Sequence, residues 1–421
     1  KTPAPLSVII VTIDTLRPDR MSLYGAARDT TPQMKKWAHS ALKFNHAYSA
    51  GAWTSLSLSA LFRGVYPRRL DWTWAYETNR TRLLPKPYEK KLKKGEKVVK
   101  AFALPMFDPH QTLSELLQNR GMKTAAVVDD GSSQFLEPSM NIAGKFESYQ
   151  LVERVTRSKR GDPGVTFLAR KKLKELVKAK EPFFFWAHYF EPHNGVGRRH
   201  GKLKFGTSRL DKYDLILQYT DRHVGQLLEF IDRLAEKQNI AVILTADHGE
   251  RFLKTHRGHG GDLTDANVRV PLLLRGPGIT PGTTDALVSL VDIFPTVLAW
   301  TNTPAPPNID GYPIPDLLKN RRPRPSLSET WYLYRNKKVR TDMVSASDTQ
   351  YRWTKDLVKN TETLTEMATD PLSEKNLIHQ VERPELAEAV EQYLEQNRRI
   401  RVRDAVDKPT TSRQNSNPTT H

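Results

Sequence analysis

The chain has 421 residues, a formal net charge of +18 and no cysteine. A chain of this length can bury a large core, and without cysteine it has neither disulfides nor thiolate metal ligands. Its positive charge favours anionic substrates or surfaces, but it lacks zinc-finger spacing, a basic zipper and an aromatic RNA-binding signature, so we expect no specific nucleic-acid partner.

The first predicted element is a strand over residues 6–13. The run is almost continuously apolar, which is typical of a strand buried on both faces of a parallel sheet, and Asp14 follows at its end. Thr31-Pro32 then predicts a helix to about Leu42, because proline is tolerated in a first helical turn.

The next helix is predicted around residues 54–63, where apolar side chains recur at helical spacing and Gly64 ends the pattern. Thr54 lies where this helix begins. Its hydroxyl is open to two interpretations: a cap for the helix, or a nucleophile held at the positive end of the helix dipole.

The middle of the chain is basic. Residues 82–104 form a lysine-rich insertion, interpreted either as a solvated surface or as a patch for an anionic membrane or lipid headgroup. A capping box at Thr112 predicts a short helix, and residues 123–128 a strand. Amphipathic patterns predict two further helices, over residues 168–179 and 215–234.

Two more apolar runs predict buried strands with polar ends. Residues 182–187 are followed by His188, Glu191 and His193, and residues 240–244 by Asp247 and His248. Because the carboxyl ends of parallel strands lie at one edge of a sheet, these side chains can meet there.

A metal site follows from this convergence. Asp14, Asp247 and His248 offer two carboxylates and an imidazole to one divalent cation, which could activate the Thr54 hydroxyl. The following loop contains His256 and His259, of which His256 is equally compatible with a plain loop role.

The last third predicts a separate small unit. Residues 270–274 form another strand, residues 326–355 short antiparallel strands, and residues 384–398 a helix that packs on them. Residues 402–421 are polar and basic without periodicity, and we expect them to be disordered.

No apolar run approaches the roughly 20 residues that cross a bilayer. We expect the chain to be the soluble portion of an exported or membrane-anchored protein, located outside the cytoplasm in the periplasm or at the cell surface.

Several stretches occur in an order found in a known family, at residues 8–25, 53–67, 184–193, 245–250, 258–260, 269–272, 291–296 and 369–377. The chain resembles the sulfatase-like branch of the alkaline phosphatase superfamily over nearly its whole length. The resemblance implies an α/β fold with a large, mostly parallel central sheet between helices. It implies a catalytic domain over residues 1–320 and a small C-terminal α+β subdomain over residues 321–401.

The resemblance also implies roles for individual residues. Asp14, Asp247 and His248 correspond to metal ligands, and Thr54 stands at the nucleophile position beside them. The resemblance further implies that Glu191, His193 and His259 hold either a second metal or the oxygens of the transferred group. The implied cofactor is a divalent ion (zinc, manganese, calcium or magnesium).

The nucleophile position departs from true sulfatases. Residues 54–58 lack the proline and arginine that signal conversion to formylglycine, and Thr15 replaces the second aspartate of the sulfatase pair. The pattern is similar to the family's phosphotransferases and phosphoesterases, which use an unmodified threonine.

The sequence therefore predicts a metal-dependent hydrolase or transferase that acts on phosphate-type esters through a covalent intermediate on Thr54. One alternative is a sulfuric or phosphonic ester hydrolase without formylglycine. Another is a catalytically silent binder of anionic lipid or glycan. Arg17 has two interpretations, as a group that orients the anionic substrate or as a loop cap.

Overall fold

The computed structural model describes residues 6–80, 83–85, 91–131, 133–152, 164–193, 204–252, 257–320, 324–333 and 339–403. Its strands in chain order are β1 Ser7–Ile13, β2 Leu42–Tyr48, β3 Asp71–Thr78, β4 Leu83–Pro85, β5 Val98–Leu104, β6 Lys123–Val128, β7 Ser148–Leu151, β8 Phe183–Tyr189, β9 Ile240–Ala246, β10 Arg251–Phe252, β11 Arg257–Gly258, β12 Leu272–Arg275, β13 Gly282–Ser289, β14 Ser326–Leu333, β15 Val339–Ser347, β16 Tyr351–Asp356, β17 Thr361–Glu366 and β18 Arg401–Arg403.

The α-helices of the described residues are α1 Pro32–Trp37, α2 Thr54–Arg63, α3 Leu113–Asn119, α4 Val165–Ala179, α5 Arg209–Ala235, α6 Asp265–Val268, α7 Ile293–Trp300, α8 Ile314–Asn320 and α9 Pro384–Asn397. No helix in this part of the chain is both long and apolar enough to cross a membrane.

The central sheet has eight strands in the order β13-β2-β12-β9-β1-β8-β6-β7. Every residue of β1, β8 and β9 is buried, as the apolar runs predict. Strand β1 pairs in parallel with both neighbours, so that Ile13 lies between Tyr189 and Ala246. The carboxyl ends of these three strands therefore lie side by side.

The sheet is mixed, with mostly parallel pairs. Strand β12 runs antiparallel to both β2 and β9. The predicted strand at residues 270–274 therefore exists, but its carboxyl end lies at the sheet edge away from the tips of β1 and β9.

Helices cover both faces of this sheet. The ring of Trp186 lies 4.9 Å from that of Phe62 in α2, whereas the Tyr189 hydroxyl hydrogen-bonds Thr166 in α4 at 2.9 Å. Residues three apart in a strand point to opposite faces, so α2 and α4 lie on opposite sides of β8. The predicted helix–sheet–helix layering is confirmed.

The first helix is shorter than predicted. It ends at Trp37, a 3₁₀ turn follows, and Leu42 begins β2 instead of ending the helix. Its first turn is capped from α5, since the backbone N–H groups of Gln33 and Met34 donate to the Asp221 carboxylate at 2.8 Å each. A helix that depends on a distant cap is poorly bounded by local sequence.

The predicted basic insertion contains regular structure. Strand β3 pairs with β4, β5 and β18, and the sheet packs its tryptophans, Trp72 and Trp74, against Trp331 of β14. Residues 82 and 86–90 of the insertion lie outside the described residues. The predicted start of the tail at residue 402 is too early, because Val402 and Arg403 belong to β18; residues 404–421 are not described.

The C-terminal unit is an antiparallel sheet, β14 to β17, with α9 packed on it. Its first strand also bonds to the segment before α2. The Glu329 N–H donates to the carbonyl of Ala50 at 3.0 Å, and its carbonyl accepts from Ala52 at 3.3 Å. Strand β14 therefore supports the segment that leads into Thr54.

Candidate active site

Asp14, Asp247 and His248 meet at the tips of β1 and β9. One ligand atom from each lies within 4.8 Å of the others. Nε2 of His248 is 3.7 Å from an oxygen of Asp14 and 3.4 Å from an oxygen of Asp247. The parallel pairing of neighbouring strands brings these residues together from positions more than 230 apart in the chain.

The proton on His248 is fixed by its backbone neighbour. Nδ1 lies 2.8 Å from the carbonyl oxygen of Gly249, which can only accept, so Nδ1 carries the hydrogen. Burial, with the nearby His259, lowers the pKa of His248 well below its usual value. The ring is therefore neutral, and Nε2 presents a lone pair to the two carboxylates.

This arrangement fits a divalent cation. Asp14 Oδ1 and Asp247 Oδ2 are buried and accept no hydrogen bond from the described residues. Burial and the neighbouring Asp247 raise the pKa of Asp14 well above its usual range. The two ionised carboxylates repel each other when they are buried this close together, and a bound cation would offset that repulsion.

Thr54 is the first residue of α2 and lies against this group. Its hydroxyl oxygen is 3.1 Å from Nε2 of His248. The helix cap residue is Trp53, and no side chain caps this end, so the alternative role of Thr54 as the N-cap is wrong.

Two serines of α2 donate hydrogen bonds that position this helix. Ser57 donates to the carbonyl oxygen of Asp247 at 2.5 Å and accepts from Ser49 at 2.8 Å. Ser55 instead donates to the carbonyl oxygen of Ala103 at 3.1 Å. Ser57 therefore connects α2 to the candidate ligand Asp247, whereas Ser55 is directed at β5.

His193, Glu250 and His259 form a second group, again with one ligand atom each within 4.8 Å. Nδ1 of His259 is 3.4 Å from Glu250, and the His259 ring lies 4.4 Å from that of His248. Burial opposes charge on both partners, yet their attraction raises the pKa of His259 and lowers that of Glu250. Each partner therefore favours the charged form of the other, at the edge of the first group.

Glu250 is the residue that sequence reasoning missed. Glu191 was predicted in its place, but Glu191 belongs to neither ligand group among the described residues. The sequence does indicate Glu250 as a candidate ligand, because it follows Asp247 by three residues in the same polar turn.

Two of the remaining candidates, Arg17 and His188, make hydrogen bonds within the fold. Arg17 donates to both oxygens of Asp19 and to the carbonyl of Glu250 at 2.9 Å, so it holds a loop. His188 lies inside β8 and not beyond it, with Nδ1 2.7 Å from the Thr12 hydroxyl. His256 lies outside the described residues.

A cavity of about 390 Å³ opens onto Thr54. One wall carries reactive groups, Asp14, Thr54, His193 and His259. Another is aromatic, formed by Trp53, Phe102 and Phe135, whereas Phe190 stacks on His193; Glu77, Lys100 and Asp130 are among the other lining residues. The pocket thus has the Thr54 hydroxyl and candidate ligand donors in its lining.

Comparison with known proteins gives the family. The model described as Sulfatase matches residues 7–303, and the model described as N-sulphoglucosamine sulphohydrolase, C-terminal, matches residues 263–400. Arylsulfatase K of Mus musculus is 38% identical over 102 residues, which are 24% of this chain and 18% of that protein. The chain therefore matches only about a fifth of the length of its first curated relatives.

Solved structures share the fold. BT4656 in complex with its substrate D-glucosamine-2-N,6-O-disulfate has a TM-score of 0.66 at 17% identity, covering 94% of this chain and 98% of that chain. The phosphonate monoester hydrolase of Agrobacterium radiobacter has a TM-score of 0.65 at 15% identity, covering 94% and 95%. Since the Sulfatase model spans every strand tip and loop that carries the two ligand groups, the chain belongs to the sulfatase family.

Proposed function

We propose that the chain is a metal-dependent hydrolase of anionic esters in which Thr54 accepts the transferred group. The observation that carries the proposal is the 3.1 Å contact between the Thr54 hydroxyl and Nε2 of His248, inside a buried set of ligand donors and beside a cavity. Asp14, Asp247 and His248 would hold the cation together with the Thr54 oxygen. When bound, it would lower the pKa of a neighbouring hydroxyl and offset negative charge on the ester.

Different residues carry the separate steps of the proposed reaction. The Thr54 hydroxyl loses its proton to water, and its oxygen forms a bond to the sulfur or phosphorus atom while the bond from that atom to the leaving oxygen breaks. His193 and His259 line the same cavity and can donate hydrogen bonds to the transferred group and a proton to the leaving oxygen. Water, or an acceptor alcohol in a transferase, then attacks the Thr54 ester and restores the hydroxyl.

His193, Glu250 and His259 support a second possible use. Two imidazoles and a carboxylate are a ligand set that suits zinc or manganese, so a second cation is an alternative to direct contact with the transferred group. Metal content per chain separates the two.

Sulfuric esters are the first candidate substrates, because the family model and the relatives' names point to them. Phosphate-type or phosphonic esters are the second candidate. They are favoured by an unmodified threonine in a chain without cysteine, and one structural neighbour is a phosphonate monoester hydrolase.

The test uses matched labelled esters. The metal-loaded protein is incubated with radiosulfur-labelled p-nitrophenyl sulfate and, separately, with radiophosphorus-labelled p-nitrophenyl phosphate, with Thr54→Ala as the control. We expect release of one labelled acid and label retained on the acid-quenched wild type only. Turnover of neither ester, nor of a phosphonate or a sulfated sugar, would contradict the proposal and favour a silent binder.

We also propose a location outside the cytoplasm and an anionic surface as a partner for the basic segment of residues 91–100. That segment includes Lys91, Lys94, Lys97 and Lys100. Sedimentation with anionic vesicles should fall steeply as salt rises. No binding at low salt would leave these lysines as a solvated surface.

A further inference from the structure

Helix α4 lies on the face of the central sheet opposite α2, so the sheet lies between this helix and Thr54. Its inner side packs on β8 and α5, whereas its outer side is strongly basic. We call this outer side, together with the adjoining Phe230 and Arg233 of α5, the basic face. The helix has a single carboxylate, Glu175, and five cations, which are Arg170, Lys171, Lys172, Lys174 and Lys178.

Three exposed lysines form a stripe along α4, at Lys171, Lys174 and Lys178. Residues three or four apart in an α-helix lie on the same side, about 5 Å from one another along the axis. The carboxylate of Glu175 pairs with Lys172 at 2.9 Å. No carboxylate of the described residues forms an ion pair with any lysine of the stripe. The stripe is therefore a row of cations without matching anions.

Three cations from two helices also converge on one aromatic ring. Cζ of Arg170, Nζ of Lys174 and Cζ of Arg233 lie 5.2, 5.8 and 5.9 Å from the ring centre of Phe230. In the described part of the chain, Arg233 alone among the three has a carboxylate partner, Glu229 at 3.1 Å. Like charges gathered around one ring repel one another, and an oxyanion among them would offset that repulsion.

The basic face suits a linear polyanion better than a membrane. Its cations extend over about two turns of α4 and across to α5, so a chain with oxyanions on successive units can pair with them in turn. A helix that binds a membrane surface instead buries a large apolar face in the lipid. The outer side of α4 exposes one large apolar side chain, Phe167, and is otherwise charged.

We propose that the basic face binds an acidic polysaccharide, whose oxyanions pair with the lysine stripe and with the cations over Phe230. Because the sheet separates this face from Thr54, the polymer is held here and does not react here. Binding would raise the effective concentration of ester groups of the same polymer near the reaction cavity. The choice of a polysaccharide rests on the proposed function for sulfuric esters, whereas the face itself is tested by binding alone.

The test removes three positive charges from the stripe and measures binding without turnover. The probe is a fluorescein-labelled dextran sulfate octasaccharide. Its Kd is measured by fluorescence anisotropy at about 0.15 M salt in the metal-loaded Thr54→Ala background. The stripe variant combines Lys171→Gln, Lys174→Gln and Lys178→Gln, because these side chains are exposed and glutamine keeps a good helix propensity.

A matched control removes the same charge on the other side of the sheet. Its exposed lysines precede β5, the strand whose Ala103 accepts a hydrogen bond from Ser55 of α2. The two triple variants have equal net charge and differ only in where the lysines were lost. The control combines Lys91→Gln, Lys94→Gln and Lys97→Gln.

We expect the stripe variant to bind the probe about ten-fold more weakly, as the loss of three exposed ion pairs implies. Its Kd should also depend less steeply on salt, because fewer counterions are released. The control should bind as tightly as the parent, since charges more than about 8 Å from the ligand are largely screened at this salt.

Equal losses in the two triple variants would show that only net charge matters and would overturn the proposal, as would the absence of probe binding by the parent. Loss of binding to anionic vesicles or duplex DNA in the stripe variant, with probe binding unchanged, would assign the face to another partner and also contradict it. Selective loss of probe binding in the stripe variant, together with absent ester turnover by the wild type, would retain the basic face and refute only the proposed hydrolysis.

Discussion

The hydroxyl oxygen of Thr54 lies 3.1 Å from Nε2 of His248, at the start of a helix and the end of a strand that are 194 residues apart in sequence. The relationship depends on Gly249, whose carbonyl fixes the proton on Nδ1. A Cβ at Gly249 would come within 2.0 Å of the Ala266 oxygen, so the backbone that orients His248 is itself fixed by close packing.

Metal should stabilise the wild type but not Asp247→Asn. Asp247 Oδ1 accepts the N–H groups of Thr15 at 3.2 Å and His248 at 2.8 Å, whereas Oδ2 has no partner in the described part of the chain. Asparagine keeps the first oxygen and loses the charge. A ligand at about 100 times its Kd adds roughly 2.7 kcal/mol to the free energy of unfolding.

The measurement is thermal unfolding with a chelator and then with zinc, manganese, calcium or magnesium. Asp247→Ala is the less informative variant, because it leaves two buried N–H groups unpaired at about 1–3 kcal/mol each. An equal rise in Tm for wild type and Asp247→Asn would remove Asp247 from the metal site.

Ser57→Ala should weaken metal binding, and Ser55→Ala should not. Both serines are buried in α2 and donate to a backbone carbonyl, but only Ser57 donates to Asp247. Loss of a group that orients a ligand typically lowers metal affinity by about ten-fold or more. Metal titration of the two variants checks this, and equal affinities would show that the Ser57 contact serves stability alone.

The stability of the metal-free chain should fall below pH 6.5 partly through His188. Burial lowers the pKa of His188 to about 4, from 6.5 in the unfolded chain. Above pH 6.5 the ring is neutral in both states, so it does not make the free energy of unfolding depend on pH. As the pH falls from 6.5 to 4, His188 binds a proton in the unfolded chain but not in the folded chain. The free energy of unfolding is therefore lower by about 3 kcal/mol at pH 4.

His188→Asn is the matched variant, because the asparagine oxygen can accept the Thr12 hydroxyl in place of Nδ1. Denaturant unfolding in chelator across this window should show a shallower loss of stability for the variant. Parallel pH profiles would mean that His188 is not held neutral.

The central strands and their polar tips could be predicted because their signal is local. A run such as residues 7–13 is apolar throughout, and Asp14 marks its end. That Asp14 and Asp247 meet is a consequence of β1 pairing with β9, which was a reasonable expectation for parallel strands.

The missed features are those that only long-range packing decides. The lysines of the predicted insertion make the β5 segment resemble a solvated surface in the sequence. The strand forms because β3 provides its pairing partner. Glu250 and Glu191 both follow buried strands, and the sequence could not tell which one reaches His259. The aromatic wall of the reaction cavity likewise brings Trp53 together with Phe102 and Phe135 from separate segments.

The central claim is that Thr54, unmodified, carries the transferred group, and peptide mapping by mass spectrometry of enzyme quenched in acid during turnover tests it directly. We predict a sulfate- or phosphate-type adduct on the Thr54 hydroxyl of the wild type, loss of the adduct and of turnover by orders of magnitude in Thr54→Ala with metal still bound, and partial activity in Thr54→Ser. An adduct on Ser55, a formylglycine at residue 54 or 55, or wild-type turnover by Thr54→Ala would contradict the account.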